Sequence, residues 1–241
     1  MYSKLIIFTL ILFSPTVQTY AGIDATAIMK QISLFGAFES VSAEFRMTIE
    51  RTNGSKERSI ELFYRRQVGA NDVLARVVAP AFLQNLKFLR RETNTGAVEL
   101  YMRNSQGTRR VLGDRGDEAL FDSDFRTADF MASPTSQATL LEESVETITL
   151  ETRLNLAGTI TIRRMLLRKS DFFLLSFEEF DVNGTMTRRY SVTSFDVANG
   201  YVYAKKSVME VPSSGQRTVL EVKKITPNPK LGDALFSRMN L

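Results

Sequence analysis

Cysteine, histidine and tryptophan are all absent from this chain of 241 residues. Without cysteine there is no disulfide framework, no thiolate nucleophile and no thiolate zinc site. Without histidine there is no Ser-His-Asp relay, no haem histidine and no imidazole metal ligand. An enzyme made from this sequence would have to work with Asp, Glu, Lys, Tyr, Ser and Arg alone, and binding functions gain weight accordingly. Long hydrophobic runs are scarce too. The longest, residues 5–13, is apolar except for Thr9 and is about half of the roughly 20 residues a membrane span requires.

That run has the features of an export signal. Lys4 precedes it, Ser14 and Pro15 break it, and Thr19, Tyr20 and Ala21 suit cleavage after Ala21. The expected organisation is therefore a signal peptide over residues 1–21 and a single domain over residues 22–241, released into the periplasm and not an integral membrane protein. With no cysteine near the cleavage site, lipid anchoring there is excluded. At 44% apolar residues the chain is rich enough to bury a core.

Charge of one sign is not in large excess. The chain carries a formal net charge of +4, and loss of Lys4 with the leader leaves +3, too little for a nucleic-acid footprint. The basic pairs Arg65 and Arg66, Arg90 and Arg91, Arg109 and Arg110, Arg163 and Arg164, and Arg188 and Arg189 fall in strand-like segments. Their simplest place is on solvated outer faces.

Residues 24–35 read as one amphipathic helix, with Ala25, Ile28, Met29, Ile32 and Phe35 at helical spacing, Asp24 to cap it and Gly36 to end it. From Val41 the apolar period becomes two, through Ala43, Phe45, Met47 and Ile49. Asn53 and Gly54 then signal a turn, and Ile60, Leu62 and Tyr64 return along one face. The same alternation predicts strands at residues 72–78, 87–92, 97–103 and 108–112, and again at 145–154, 159–168, 172–181, 185–195, 201–211 and 218–226. Consecutive hairpins with short turns make one antiparallel sheet, long enough that it must curl, close or be covered. Residues 113–139 interrupt it. They contain Phe121, Ser123, Asp124, Phe125 and Phe130, and residues 127–131 can form a short helix capped by Ser123 or Asp124.

Candidate chemistry is thin. Asp114, Asp117, Asp122, Asp124 and Asp129 form the densest acidic group, but their spacing is not that of an EF-hand, and capping or turn roles explain them more simply than a metal or a catalytic carboxylate pair. There is no G-x-S-x-G, no phosphate-binding loop and no Ser-x-x-Lys. No catalytic residue, metal or cofactor is expected. Residues Phe172, Phe173, Leu174, Leu175 and Phe177 are apolar on both faces of their strand, consistent with a covered central strand or with one face lining a ligand cavity.

The order of these features resembles the outer-membrane lipoprotein-sorting proteins, the periplasmic carriers and receptors of lipoproteins. The residues that carry the resemblance are Pro80, Lys87, Phe88 and Leu89; residues 98–103 with Arg109, Arg110 and Val111; Asp122, Ser123, Asp124 and Phe125 with Asp129 and Phe130; the hairpin at residues 178–184; Met209; and Leu235, Phe236 and Ser237. Relatives often have Gly before Ser-Asp-Phe, where Asp122 stands here, and commonly have tryptophan. The resemblance implies a mainly β (α+β) fold: a half-open antiparallel β-barrel with an N-terminal helix and a short helical insertion covering an apolar cavity. It implies a non-enzymatic carrier of lipid or lipoprotein acyl chains, for transfer toward the outer membrane. The expected cavity lining is Phe45, Met47, Ile49, Leu62, Tyr64, Leu100 and Met102, and the expected lid is Ile28, Ile32, Phe35, Phe121, Phe125 and Phe130. Two other roles on the same fold are a sensor of mislocalised lipoproteins and a lipid-binding accessory to an inner-membrane transporter.

Overall fold

The computed structural model describes residues 24–29, 32, 38–67, 70–93, 95, 97–111, 119–130, 137–156 and 158–241. The expected leader, the end of the first helix with Phe35 and Gly36, and Asp114 and Asp117 lie outside these residues. Among those described, thirteen strands form one antiparallel sheet. In chain order they are β1 (Ser40–Arg51), β2 (Gly54–Gln67), β3 (Ala70–Ala79), β4 (Lys87–Thr93), β5 (Val98–Asn104), β6 (Gly107–Val111), β7 (Ala138–Glu143), β8 (Thr147–Leu156), β9 (Thr159–Arg168), β10 (Leu174–Phe180), β11 (Met186–Ala198), β12 (Tyr201–Val211) and β13 (Gln216–Pro227). A short helix, α1 (Ala25–Met29), precedes them.

The spatial order is β6-β5-β4-β3-β2-β1-β13-β12-β11-β10-β9-β8-β7. Each strand therefore pairs with its chain neighbours, except β6 and β7, which form the two edges, and at the centre β1 pairs with β13 in the register Met47 opposite Leu220 and Phe45 opposite Val222. Period-two alternation sends Val41, Ala43, Phe45, Met47 and Ile49 to one face. Residues from both outer arms, Val111 on β6 and Leu150 on β8 among them, join these in one buried cluster with α1 and the segment between β6 and β7. Side chains from strands so far apart in the order meet only if the sheet curls around them. The sheet stays open, because β6 and β7 do not pair with each other. The hairpin turns follow their sequences: at Asn199 and Gly200, φ values of 49° and 82° suit an Asn-Gly turn between β11 and β12.

The strand β7 was not among those the alternation predicted. Leu140 and Leu141 adjoin, Glu142 and Glu143 follow, and a register shift between Leu140 and Glu142 breaks the period. The doubly apolar stretch also has a local explanation. Phe172 is in a left-handed conformation (φ 54°), the strand begins only at Leu174, and a shift between Leu174 and Ser176 lets both Leu174 and Phe177 join the inner core.

The outer face differs between its halves. Across β8 to β13 and β1 it carries cross-strand pairs such as Arg164 with Glu151, Arg189 with Glu178 and Arg217 with Glu50, all well exposed and individually worth little. Across β2 to β5 it carries an apolar cluster among its ion pairs, with Leu74, Leu89 and Tyr101, and the tail after β13 covers this with Phe236 and Leu241. The guanidinium of Arg65 lies 4.4 Å from the centre of the Phe236 ring and pairs with Asp72 and Asp233.

The basic pairs are consequently not all on solvated outer faces. Neighbours on a strand point to opposite faces. Arg164 and Arg189 face solvent as expected, and Arg109 and Arg110 are both exposed, but Arg90, Arg163 and Arg188 turn inward and Arg65 is covered by the tail.

Candidate functional site: an apolar pocket beneath a salt-bridged insert

On the inner face, β11, β12 and β13 form one wall of a pocket. Leu220, Val222 and Ile225 come from β13, Tyr203, Ala204 and Ser207 from β12, and Tyr190 from β11; Phe45 on β1, Phe38 and Phe130 complete it. The lining is mostly apolar. Its polar groups are the Tyr190 and Ser207 hydroxyls, hydrogen-bonded to one another, and the Tyr203 hydroxyl, which donates to Asp196 at 3.3 Å. Burial raises the Tyr190 phenol well above its usual value of 10, more than the Ser207 hydrogen bond lowers it. The cavity measures about 20 Å³, room for roughly one water molecule and far below the roughly 300 Å³ at which ligand pockets begin. In this conformation the pocket is too narrow for a ligand chain.

The segment at residues 119–130 supplies Phe130 to the pocket lining. An antiparallel bridge pairs Ala119 with Arg126, and the Leu120 amide donates to the Phe125 carbonyl at 2.8 Å, so the Ser-Asp-Phe residues form a tight loop. Phe121 and Asp122 at its tip are both left-handed, at φ 52° and 58°. Asp is tolerated there better than most residues, and the glycine common at this place in similar proteins would be unstrained. The expected helix over residues 127–131 is a single 3-10 turn, Thr127–Phe130. Ser123 and Asp124 do not cap it: the Ser123 hydroxyl accepts from the Phe125 amide, and Asp124 reaches the sheet.

Arginines on the inner face hold this loop by its carboxylates. Arg51 donates to Asp124 at 2.8 Å, Thr218 donates to the same carboxylate at 2.7 Å, and Arg188 donates to the Asp124 carbonyl at 2.9 Å. Arg163 and Arg188 both pair with Asp129, and Arg58 pairs with Asp122 at 3.0 Å. Beneath them is Glu179, whose side chain is fully buried and is contacted by Arg126, Arg163 and Arg188. Burial would push this carboxyl up, but the three guanidinium groups outweigh it and hold it at about 2. The same pairing keeps Arg188 charged despite burial. The three described members of the acidic group, Asp122, Asp124 and Asp129, are thus ion-pair partners, and no cluster of potential metal ligands occurs among the described residues.

Aromatic packing links the loop to the pocket wall. Phe125 meets Tyr190 edge-on at 6.3 Å, Tyr190 stacks on Phe177 at 5.1 Å, and the Arg163 guanidinium covers Phe177 at 4.3 Å. Of the residues expected to line or cover a cavity, Phe45 and Phe130 border the pocket itself. Met47, Ile49, Leu62, Tyr64 and Leu100 are buried in the continuous core beside it, with Met102 half-buried against them; Ile28, Ile32, Phe121 and Phe125 lie in the same core. The pocket residues on β11 to β13 were not singled out from the sequence, although the alternation of Tyr203, Ser207 and Met209 and of Leu220 and Val222 was there to be read.

Residues 69–241 match the model of a protein family described as "Uncharacterized protein". No curated protein matches the sequence. Three solved structures share the fold. A DUF1329 family protein from Desulfovibrio piger superposes with a TM-score of 0.78 at 17% identity, over 90% of this chain and 95% of that one. A putative outer membrane lipoprotein-sorting protein domain from Vibrio parahaemolyticus gives 0.75 at 16% identity, over 83% and 90%. A LolA superfamily protein from Nitrosomonas europaea gives 0.71 at 15% identity, over 91% and 100%. Identities this low speak for the fold, the mainly β, half-open antiparallel sheet that the sequence resemblance implied.

Proposed function

We propose that this chain, which belongs to the family matched over residues 69–241 and has the fold of the outer-membrane lipoprotein-sorting proteins, is a periplasmic carrier that shelters the acyl chain of a lipid or lipoprotein against the inner face of its sheet. The observation that carries this reading is the apolar pocket on β11 to β13, roofed by Phe130 of a loop that polar contacts hold in place. A sixteen-carbon chain in water carries an unfavourable hydration free energy on the order of 10 kcal/mol, at about 0.8 kcal/mol per CH₂. An apolar wall removes that cost and needs no reactive side chain, so we read the protein as a binder, not an enzyme. No helix of the described residues is long and apolar enough to cross a membrane.

A pocket of this size admits a chain only when its roof moves. The roof has the right construction for that. Leu120, Phe121, Phe125 and Phe130 contribute apolar cover, and ion pairs through Asp122, Asp124 and Asp129 add to the loop's attachment to the sheet. Such pairs can exchange for water when the loop lifts, whereas the sheet beneath keeps its hydrogen bonds. We place the cargo chain between β11 to β13 and the displaced loop, with the core residues Phe45 and Met47 along its flank.

Mass spectrometry of organic extracts from gently purified protein, together with displacement of a neutral fluorescent probe by fatty acids and lysophospholipids, tests the reading. Co-purified lipid or saturable displacement supports it. An extract free of lipid together with no displacement by any acyl ligand refutes it.

A further inference from the structure

Among the described residues, the ionic layer that fastens the loop leaves a surplus of buried guanidinium donors without an acceptor. Arg51, Arg58, Arg126, Arg163 and Arg188 face four carboxylates, those of Asp122, Asp124, Asp129 and Glu179. The surplus has a location. The Arg58 side chain is only 4% exposed, and its Nε and Nη1 are buried without an acceptor among the described residues; Nε of Arg188, equally buried, is in the same position. A buried guanidinium with unmet donors is unfavourable unless something occupies it.

The acid partner that Arg58 does have is a weak one. Asp122 contributes a carboxylate whose side chain is 81% exposed, from a residue in a left-handed conformation at the tip of the loop. An ion pair with so exposed a partner contributes little and can be replaced. Position matters as well. Arg58 is opposite Met47 on β1, and Met47 is opposite Leu220 on β13, which lines the pocket. Two strand spacings, roughly 10 Å, therefore separate the Arg58 backbone from the pocket wall.

We infer that this end of the inner face is a subsite for an anionic group, phosphate or carboxylate, at the head of an amphiphile. Arg58 is its principal donor, and the loop carboxylates of Asp122 and Asp124 hold its place in the closed form. The head group satisfies Nε and Nη1 of Arg58 and takes over the contact with Asp122, and the same displacement frees the loop to rise from the pocket. The anion selects the cargo and unfastens the lid in one event. This rests on the acyl-carrier reading for the tail, but the anion subsite has its own chemistry and its own test.

Affinities for dodecyl phosphate, dodecanol and inorganic phosphate, measured on the full mature chain by displacement of the neutral probe N-phenyl-naphthylamine and by calorimetry, separate the possibilities. A charge-assisted hydrogen bond at a buried site predicts that wild type prefers dodecyl phosphate to dodecanol by about tenfold or more. In Arg58→Gln the preference collapses toward one, and Arg58→Lys restores part of it; thermal unfolding confirms that each variant is folded. Equal affinity of wild type for the two amphiphiles overturns the subsite, as does a preference that Arg58→Gln leaves intact. If neither amphiphile binds, the acyl-carrier reading fails instead. The subsite then stands only if inorganic phosphate alone binds wild type and not Arg58→Gln, and it falls if phosphate binds neither. Should Arg58→Gln fail to fold, Asp122→Asn is the second test. Removing the placeholder charge raises dodecyl phosphate affinity if the subsite is real, and an unchanged or lowered affinity counts against it.

Discussion

Glu179→Gln removes one charge from the most buried carboxylate of the inner face while keeping its shape. Three guanidinium groups converge on Glu179, and two of them, Arg163 and Arg188, also hold Asp129 in the loop. Neutralising one partner of a buried ion pair typically costs about 3–5 kcal/mol, because the opposite charge stays buried. For a domain of this size that corresponds to a fall in Tm of about 6–20 °C. The pH dependence isolates the charge as the cause. The folded-state carboxyl is held at about 2, below its ordinary value of 4.5, so it contributes stability that is complete above its ordinary range and is lost as pH falls from about 5 toward 2. The size of the shift makes this contribution about 3 kcal/mol. Denaturant unfolding of wild type and Glu179→Gln at a series of pH values should therefore show a gap of several kcal/mol near neutrality that narrows steadily on acidification. A neutral-pH difference under about 1 kcal/mol, or a gap of the same size at pH 2 to 3, would refute the electrostatic account.

The sequence contains no tryptophan, so Ala204→Trp places a single indole in the pocket wall; its emission should shift on addition of a fatty acid, and an unresponsive spectrum would move the cargo elsewhere. Burial raises the phenols of Tyr64 and Tyr190, so ultraviolet titration should find them un-ionised at alkaline pH values where exposed tyrosines have already titrated, with ionisation accompanying unfolding. Stability falls as pH rises past the ordinary tyrosine value near 10, and smooth titration of every tyrosine in the folded protein would contradict this burial. Phe236→Ala removes the ring that fills the outer-face cluster beneath Arg65; a loss of about 3–5 kcal/mol and faster proteolysis of the tail after β13 are expected. Full resistance of the tail to protease would show that Phe236 does not hold it.

Much of the sheet was legible because alternation is a direct record of two faces. It located every strand except β7, and Asn-Gly turns marked where several of them reverse. What alternation does not record is which strands meet across the sheet. The pairing of β1 with β13 puts Phe45 beside Val222 and Met47 beside Leu220, and this is why the pocket forms on β13 and β12 while most of the expected lining residues pack beside it. Charge pairing was hidden for a related reason. Arg163 with Arg164, and Arg188 with Arg189, look alike in sequence, yet one member of each pair points inward to partners 34 and 59 residues away, at Asp129. The Ser-Asp-Phe loop was visible as an interruption and as part of a family resemblance, but its tight geometry depends on left-handed residues and long-range arginine contacts that no local pattern encodes.

The central seam has a consequence for how the molecule is made. Each arm of the sheet is a meander whose strands find partners already beside them in the chain, so both arms can form from local hairpins. Only β1 must wait: its second partner joins residues as far apart as Val41 and Pro227. Closing so long a loop is slow compared with zipping a hairpin. While it waits, β1 presents an open edge and an apolar inner face to whatever is near, which is the state in which strands of different molecules pair with one another. For a chain made from its beginning to its end, that interval lasts until the last strand has emerged. The seam that completes the apolar pocket is therefore also the site at which a folding chaperone would have most to protect.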